Sequence, residues 1–163
     1  MDQYTDHIVS IIEQVTDPEI PVLTIVDLGI LRGVSFQDGE VEVSITPTYS
    51  GCPAMDVIRE QIERELRDHG YSRVRVIQRL SPAWTTDWMT EDGKNKLKAY
   101  GIAPPTSRQM VCEATRFHEG EAIACPRCNS YDTRLISQFG STPCKALHQC
   151  NNCHEPFDYF KCH

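Results

Sequence analysis

Apolar residues Ile8, Ile11, Ile12 and Val15 recur at i, i+3, i+4 and i+7, which predicts an amphipathic helix over 6–15. Thr5 or Asp6 can cap it. Asp17-Pro18 ends it, because the residue before a proline is pushed out of helical geometry, and Asp17-Pro18-Glu19-Ile20-Pro21 is a stiff turn. The pattern then changes to a period of two. Over 30–46, Asp38-Gly39 is a type I′ turn signal, and facing Gln37 with Glu40 sets Phe36 opposite Val41 and Val34 opposite Val43 on one face. Ser35 and Glu42 then meet on the other face. Helical spacing returns over 51–69, where Met55, Ile58, Ile62 and Leu66 form a stripe, Pro53 suits the first helical position and Gly70 the stop. A strand follows over 73–80, with Val74, Val76 and Leu80 on one face.

This order of helix, hairpin, helix and strand describes an α+β fold, a small α/β sandwich, followed by a different kind of module. Residues 91–100 read as a short helix stopped by Gly101 and then Pro104-Pro105. The expected division is an α/β domain with its extension over 1–103, a linker over 104–120 and a ribbon over 121–163. The last strand carries Phe157, Tyr159 and Phe160, with Phe160 facing opposite to the other two.

The ribbon is expected from its cysteines. Cys125-Pro126-Arg127-Cys128 and Cys150-Asn151-Asn152-Cys153 are two CxxC turns separated by 21 residues. Each turn offers two thiolates to one metal, and two turns complete the closed four-sulfur site of structural zinc. Cys144 and Cys162 lie in the same segment. They could replace a zinc ligand, pair with each other, join a second metal site through Cys52, or pack as free thiols. His148, His154 and His163 rank below the four spaced thiolates as ligands.

The chain has 163 residues, enough for one ordinary core and a small metal-stapled module. With 16 basic and 23 acidic residues it is a poor match for a nucleic-acid backbone. No segment resembles a secretory signal or reaches the length of a membrane span. Eight cysteines without an export signal point to metal or redox chemistry in a reducing cytoplasm.

Cys52 directly precedes Pro53 at the start of the second helix. The positive end of the helix dipole there is expected to lower the thiol pKa and favour a metal-binding thiolate. The alternative is a buried cysteine used as a small apolar filler. Trp84 and Trp88 either cover the end of the sandwich or form a partner-docking patch.

Asp17-Pro18-Glu19-Ile20-Pro21, Asp27-Leu28-Gly29-Ile30 and Thr46-Pro47-Thr48-Tyr49-Ser50-Gly51-Cys52-Pro53 resemble the motif set of the metal-sulfur cluster biosynthetic domain. SufT-like bacterial proteins and the cytosolic iron–sulfur targeting factors of the MIP class share that domain. Pro82-Ala83-Trp84-Thr85-Thr86-Asp87-Trp88-Met89, Tyr100-Gly101-Ile102-Ala103-Pro104-Pro105, Phe139-Gly140-Ser141-Thr142, Cys144-Lys145-Ala146-Leu147 and the ending Glu155 to His163 resemble the PaaD family of phenylacetate-degradation proteins, which join this domain to a zinc ribbon.

The resemblance implies a factor that matures or targets the iron–sulfur reductase component of the multicomponent phenylacetyl-CoA epoxidase. Its partners would be that reductase, the other epoxidase components and the iron–sulfur assembly machinery. Its cofactors would be structural zinc and a transient iron or iron–sulfur cluster. Cys52 would be the functional cysteine, with Asp17, Glu19, Thr48 and Ser50 around it. A non-catalytic structural subunit of the same complex is the alternative, and a zinc-ribbon nucleic-acid binder or a thiol-redox enzyme is more distant. The chain lacks the Glu-x-x-His spacing of a di-iron oxygenase and the GxGxxG of a dinucleotide-binding reductase. A homodimer is left open.

Overall fold

The computed structural model describes residues 3–105 and 123–161. Cys112, Cys162, His163 and nearly all of the expected linker lie outside the described residues. The chain divides into two compact units, residues 1–84 and 85–163.

The first unit is a three-stranded sheet carrying two helices. Helix α1 spans Gln3–Ile12, so it begins and ends about three residues earlier than the apolar spacing predicts, and Thr5 and Asp6 lie within it. It stops before Val15 because Thr16 is drawn into an antiparallel bridge with Thr24. Strands β1 (Leu31–Gln37) and β2 (Glu40–Ile45) form the predicted hairpin, with Phe36 opposite Val41 and Val34 opposite Val43. Asp38 and Gly39 both adopt positive φ, as a type I′ turn requires.

Helix α2 (Ala54–Asp68) buries Met55, Ile58, Ile62 and Leu66, and Gly70 follows it with φ of 92°. It carries the chain to β3 (Arg73–Gln78), which pairs parallel with β2 and places Val74 beside Val41 and Val76 beside Val43. Parallel pairing requires such a crossover, whereas the antiparallel β1–β2 pair needs only a tight turn. Leu80 lies beyond β3 and is 61% exposed, so it does not share the inner face with Val74 and Val76.

Between α1 and β1 the chain has no regular period, yet Val15, Ile20, Leu23, Ile25, Leu28 and Ile30 are all buried. Side chains satisfy its turns. Asp17 Oδ1 accepts from the backbone N–H groups of Glu19 and Ile20, each at 2.8 Å. Thr24 and Asp27 cap each other's backbone N–H reciprocally, at 3.0 and 3.1 Å. Without such partners, burial of this irregular backbone would carry a desolvation cost.

The second unit begins with a 3-10 turn at Thr86–Trp88 and helix α3 (Glu91–Tyr100). The Thr90 hydroxyl caps α3 by accepting from the Gly93 N–H at 2.9 Å, and Gly101 ends it in left-handed geometry. Strand β4 (Ile102–Ala103) runs parallel to β7 (Pro156–Phe160). Strands β5 (Thr133–Ser137) and β6 (Lys145–Cys150) complete the sheet in the order β4-β7-β6-β5. The sequence pattern attaches residues 85–103 to the first domain. In the fold they group with the ribbon instead, because Ile102 and Ala103 extend its sheet.

Candidate functional site

The two CxxC segments fold as near-copies of one turn. The Cys125 N–H donates to the Ser130 carbonyl at 2.9 Å, and the Cys150 N–H donates to the Glu155 carbonyl at 3.0 Å. The residue after each second cysteine, Asn129 or His154, has positive φ. The N–H of Ser130 then reaches the Cys128 sulfur and that of Glu155 reaches the Cys153 sulfur. Asn151 ties the turns together through Asp132, its N–H donating to the carbonyl at 2.8 Å and its amide to Oδ1 at 2.7 Å. Arg127 and Glu155 form an ion pair across them.

The result is a four-sulfur cluster with all Sγ atoms within 4.8 Å of one another. Cys125 and Cys153 are 3.7 Å apart, and Cys128 and Cys150 are 3.6 Å apart. A tetrahedral zinc site with bonds of about 2.3 Å would hold its sulfurs about 3.8 Å apart, so the geometry fits one ion. Two of these thiols are pushed in opposite directions. The Ser130 N–H and neighbouring thiols hold Cys128 down at about 6. Although the Glu155 N–H favours its thiolate, burial and bonds to the other thiols push Cys153 up to about 12. The hydrogen bonds among the sulfurs favour one thiolate at the expense of its neighbour, whereas a divalent cation bound between them would favour the thiolate form of both. Cys125 and Cys150 are fully buried among Ala103, Ile123 and Phe157, so this metal-binding group is also the centre of the unit's core.

Cys144 is not part of this group. It lies at the opposite end of β6 from Cys150, about 20 Å away at strand spacing, with Sγ 3.0 Å from the Thr142 hydroxyl. His148 is buried between Phe157 and Tyr159, with ring centroids 5.8 and 5.7 Å away, and does not turn toward the sulfurs as a ligand.

Cys52 sits in the loop between β2 and α2. It is half-buried, and its N–H donates to the Tyr49 carbonyl at 3.3 Å. Pro53, expected at the first helical position, instead occupies the N-cap, and α2 begins at Ala54. The expected depression of the thiol pKa is not found. Burial pushes the Cys52 pKa up, outweighing the Ala54 N–H and a Tyr49 hydrogen bond that favour the thiolate, and the Glu19 and Asp17 carboxylates raise it further. The helix dipole is therefore the weaker influence, and the group rests as a thiol. The structure brings Asp17 and Glu19 within electrostatic reach of Cys52, as the motifs imply. Thr48 is half-buried and Ser50 exposed in the same loop. Tyr49, with a buried hydroxyl, is the neighbour that motif reading passed over, although it lies inside the quoted motif.

Trp84 is only 3% exposed, so it belongs to the core of the first unit and not to a docking patch. Trp88 is half-buried at the start of the second.

An iron-sulfur cluster assembly protein model matches residues 5–76, and a PaaD zinc beta ribbon domain model matches residues 110–161. An Escherichia coli protein named as one of the subunits of 1,2-phenylacetyl-CoA epoxidase is 49% identical over 153 residues, covering 94% of this chain and 90% of that protein. The chain belongs to the PaaD family. The chain also aligns with an Fe-S protein maturation auxiliary factor of Porphyromonas gingivalis, 35% identical over 97 residues, covering 58% of this chain and 91% of that protein. A Bacillus anthracis crystal structure of a domain of unknown function, DUF59, superposes with a TM-score of 0.54 at 24% identity, covering 58% of this chain and 91% of its own. That likeness shows a shared fold over the superposed part of the PaaD chain. No helix among the described residues is long and apolar enough to cross a membrane.

Proposed function

We propose that this chain is a maturation or targeting factor that delivers iron or an iron–sulfur cluster to the phenylacetyl-CoA epoxidase system, with the reductase component as client. The observation that carries the reading is a half-buried thiol, Cys52, beside the carboxylates of Asp17 and Glu19 in a domain of the iron–sulfur assembly family, joined to a PaaD-type ribbon. A soft thiolate with hard carboxylates suits transient iron better than permanent structural metal. Thr48 and Ser50 lie in the same loop as Cys52 and add polar groups to it.

The four ribbon thiolates, Cys125, Cys128, Cys150 and Cys153, hold structural zinc in this proposal. Zinc bound there supplies folding energy and no reaction chemistry. The chain itself performs no epoxidation. It acts in the cytoplasm on proteins, without nucleic acid or membrane, and Trp88 contributes to client docking.

The test is anaerobic purification with metal analysis and absorption spectroscopy of the parent chain and of Cys52→Ala. Zinc in both, with iron in the parent alone, supports the assignment. Equal iron in both overturns it. The name of the Escherichia coli relative favours a second reading, a permanent structural component of the complex. Stoichiometric co-purification with the assembled epoxidase would select it.

A further inference from the structure

The segment from Val15 to Ile30 carries three carboxylates, Asp17, Glu19 and Asp27, and the fold uses them differently. Asp17 and Asp27 are buried, and each accepts from backbone N–H groups of its own turn. Asp17 Oδ1 takes two such bonds at 2.8 Å, from Glu19 and Ile20. A metal drawn to that oxygen would leave both N–H groups without their acceptor in a buried turn. That oxygen is committed to the backbone before any ion arrives.

Glu19 stands apart. It is half-buried, and of the two carboxylates near Cys52 it acts the more strongly on the sulfur. Its backbone is fixed on both sides. Asp17 holds its N–H, and the next residue, Ile20, is buried in the core and accepts from the Leu23 N–H at 2.9 Å. A long side chain that starts from a fixed backbone has less freedom to lose when it grips an ion.

The thiol side of the site is equally sparse. Cys52 is the only cysteine of the chain before Cys112, and four of the later cysteines already form the ribbon cluster. Iron–sulfur clusters are held by several thiolates, commonly four. One thiolate with one carboxylate matches a single ferrous ion better than a cluster, and it leaves the remaining positions of the ion to water or to a receiving protein.

We infer that the cargo of this site is a single ferrous ion shared between the Cys52 sulfur and the Glu19 carboxylate, with Asp17 a positioning residue that acts through the Glu19 backbone. The inference rests on the proposed reading of Cys52 as an iron ligand. The ion takes the place of the thiol proton, which leaves to solvent, and iron enters and departs in the ferrous state.

The experiment uses the full zinc-loaded chain, titrated anaerobically with ferrous ion alone. Bound iron is read by equilibrium dialysis and by thiolate-to-iron charge-transfer absorption. The parent should bind one equivalent with that absorption, and Cys52→Ala should lose both. Asp17→Ala should bind roughly 10–100-fold more weakly, the usual cost of losing a group that orients a ligand, and Glu19→Gln at least as weakly with hydrogen-exchange protection unchanged. Asp17→Asn keeps an oxygen for both N–H groups and should restore the affinity. Parent affinity in Glu19→Gln, or a loss in Asp17→Asn equal to that in Glu19→Gln, overturns the division of roles while the Cys52 reading stands. Iron that binds only when sulfide is supplied with it overturns the single-ion cargo in the same way. Iron held equally by Cys52→Ala, or not at all by the parent, overturns this inference together with the reading beneath it. If Asp17→Ala unfolds, Glu19→Gln and Asp17→Asn decide.

Discussion

The indole N–H of Trp84 donates to the backbone carbonyl of Leu28 at 2.8 Å, joining residues 56 positions apart. Trp84 thus fastens the end of the first unit to the irregular segment before β1. Trp84→Phe keeps most of the apolar area but leaves a buried carbonyl without this donor. The expected cost is about 1–3 kcal/mol in urea unfolding of the first unit. An unchanged midpoint would show that the bond contributes nothing.

Metal removal should separate the two units. The ribbon core is built around Cys125 and Cys150, so folding and metal binding are one equilibrium there. One zinc per chain is expected. A strong chelator should abolish hydrogen-exchange protection over 123–161 while residues 3–84 keep theirs. Protection in the ribbon after complete zinc loss would contradict this.

Cys52→Ser should leave the fold intact, with stability changed by less than about 1 kcal/mol, because the side chain is half-buried and the N-cap is Pro53. Iron loading should be lost. In cells grown on phenylacetate, the reductase polypeptide should be present without its cluster. Normal growth with a loaded reductase would remove Cys52 from the mechanism.

The Cys52 thiol should be alkylated slowly at neutral pH, with a rate midpoint above the ordinary 9.0 of a free cysteine. The sign follows from burial and two carboxylates, all of which disfavour the thiolate. Glu19→Gln removes one negative charge and should move the midpoint down. Metal binding at Cys52 must release a proton, so affinity should rise with pH until the thiol is ionised. A midpoint below 9.0 in the parent would reverse the argument.

His148 is buried, and its Nδ1 has no hydrogen-bond partner among the described residues. Burial holds its pKa below the ordinary value. His148→Phe removes an unsatisfied polar atom between two aromatic rings and should raise the thermal midpoint of the metal-loaded ribbon, with a gain of about 1 kcal/mol. A lower midpoint would mean that the imidazole has a partner the geometry does not reveal.

Elements whose local chemistry and periodicity agree were legible in the sequence. The Asp38-Gly39 turn and the alternation of Val34, Phe36, Val41 and Val43 select the same register, and that register is found. The stripe of α2 and the residues of the metal cluster could be read in the same way, because regular spacing carries them. The segment from Val15 to Ile30 could not. Its apolar residues are buried by turns that Asp17, Thr24 and Asp27 close with side-chain oxygens, which leaves no period to detect. The ionisation of Cys52 was misread for a related reason. The helix N-terminus is visible in sequence, whereas burial and two carboxylates from a distant turn appear only after folding. The placement of residues 102–103 in the ribbon sheet depends on a pairing some 56 residues away.

The parallel pairing of β2 with β3 gives the Cys52 loop an independence that a hairpin turn would lack. The chain leaves the carboxyl end of β2, passes Cys52 and enters α2 before any strand partner is met. Thr46 still donates to the Ile30 carbonyl at 2.9 Å and is buried, so the stretch that carries no strand pairing is residues 47–53. An opening confined to that stretch would uncover the Cys52 thiol without breaking a strand pair, and openings of this local kind cost less than global unfolding. In the proposed role, iron would enter and leave Cys52 through such an opening while the sheet stays intact.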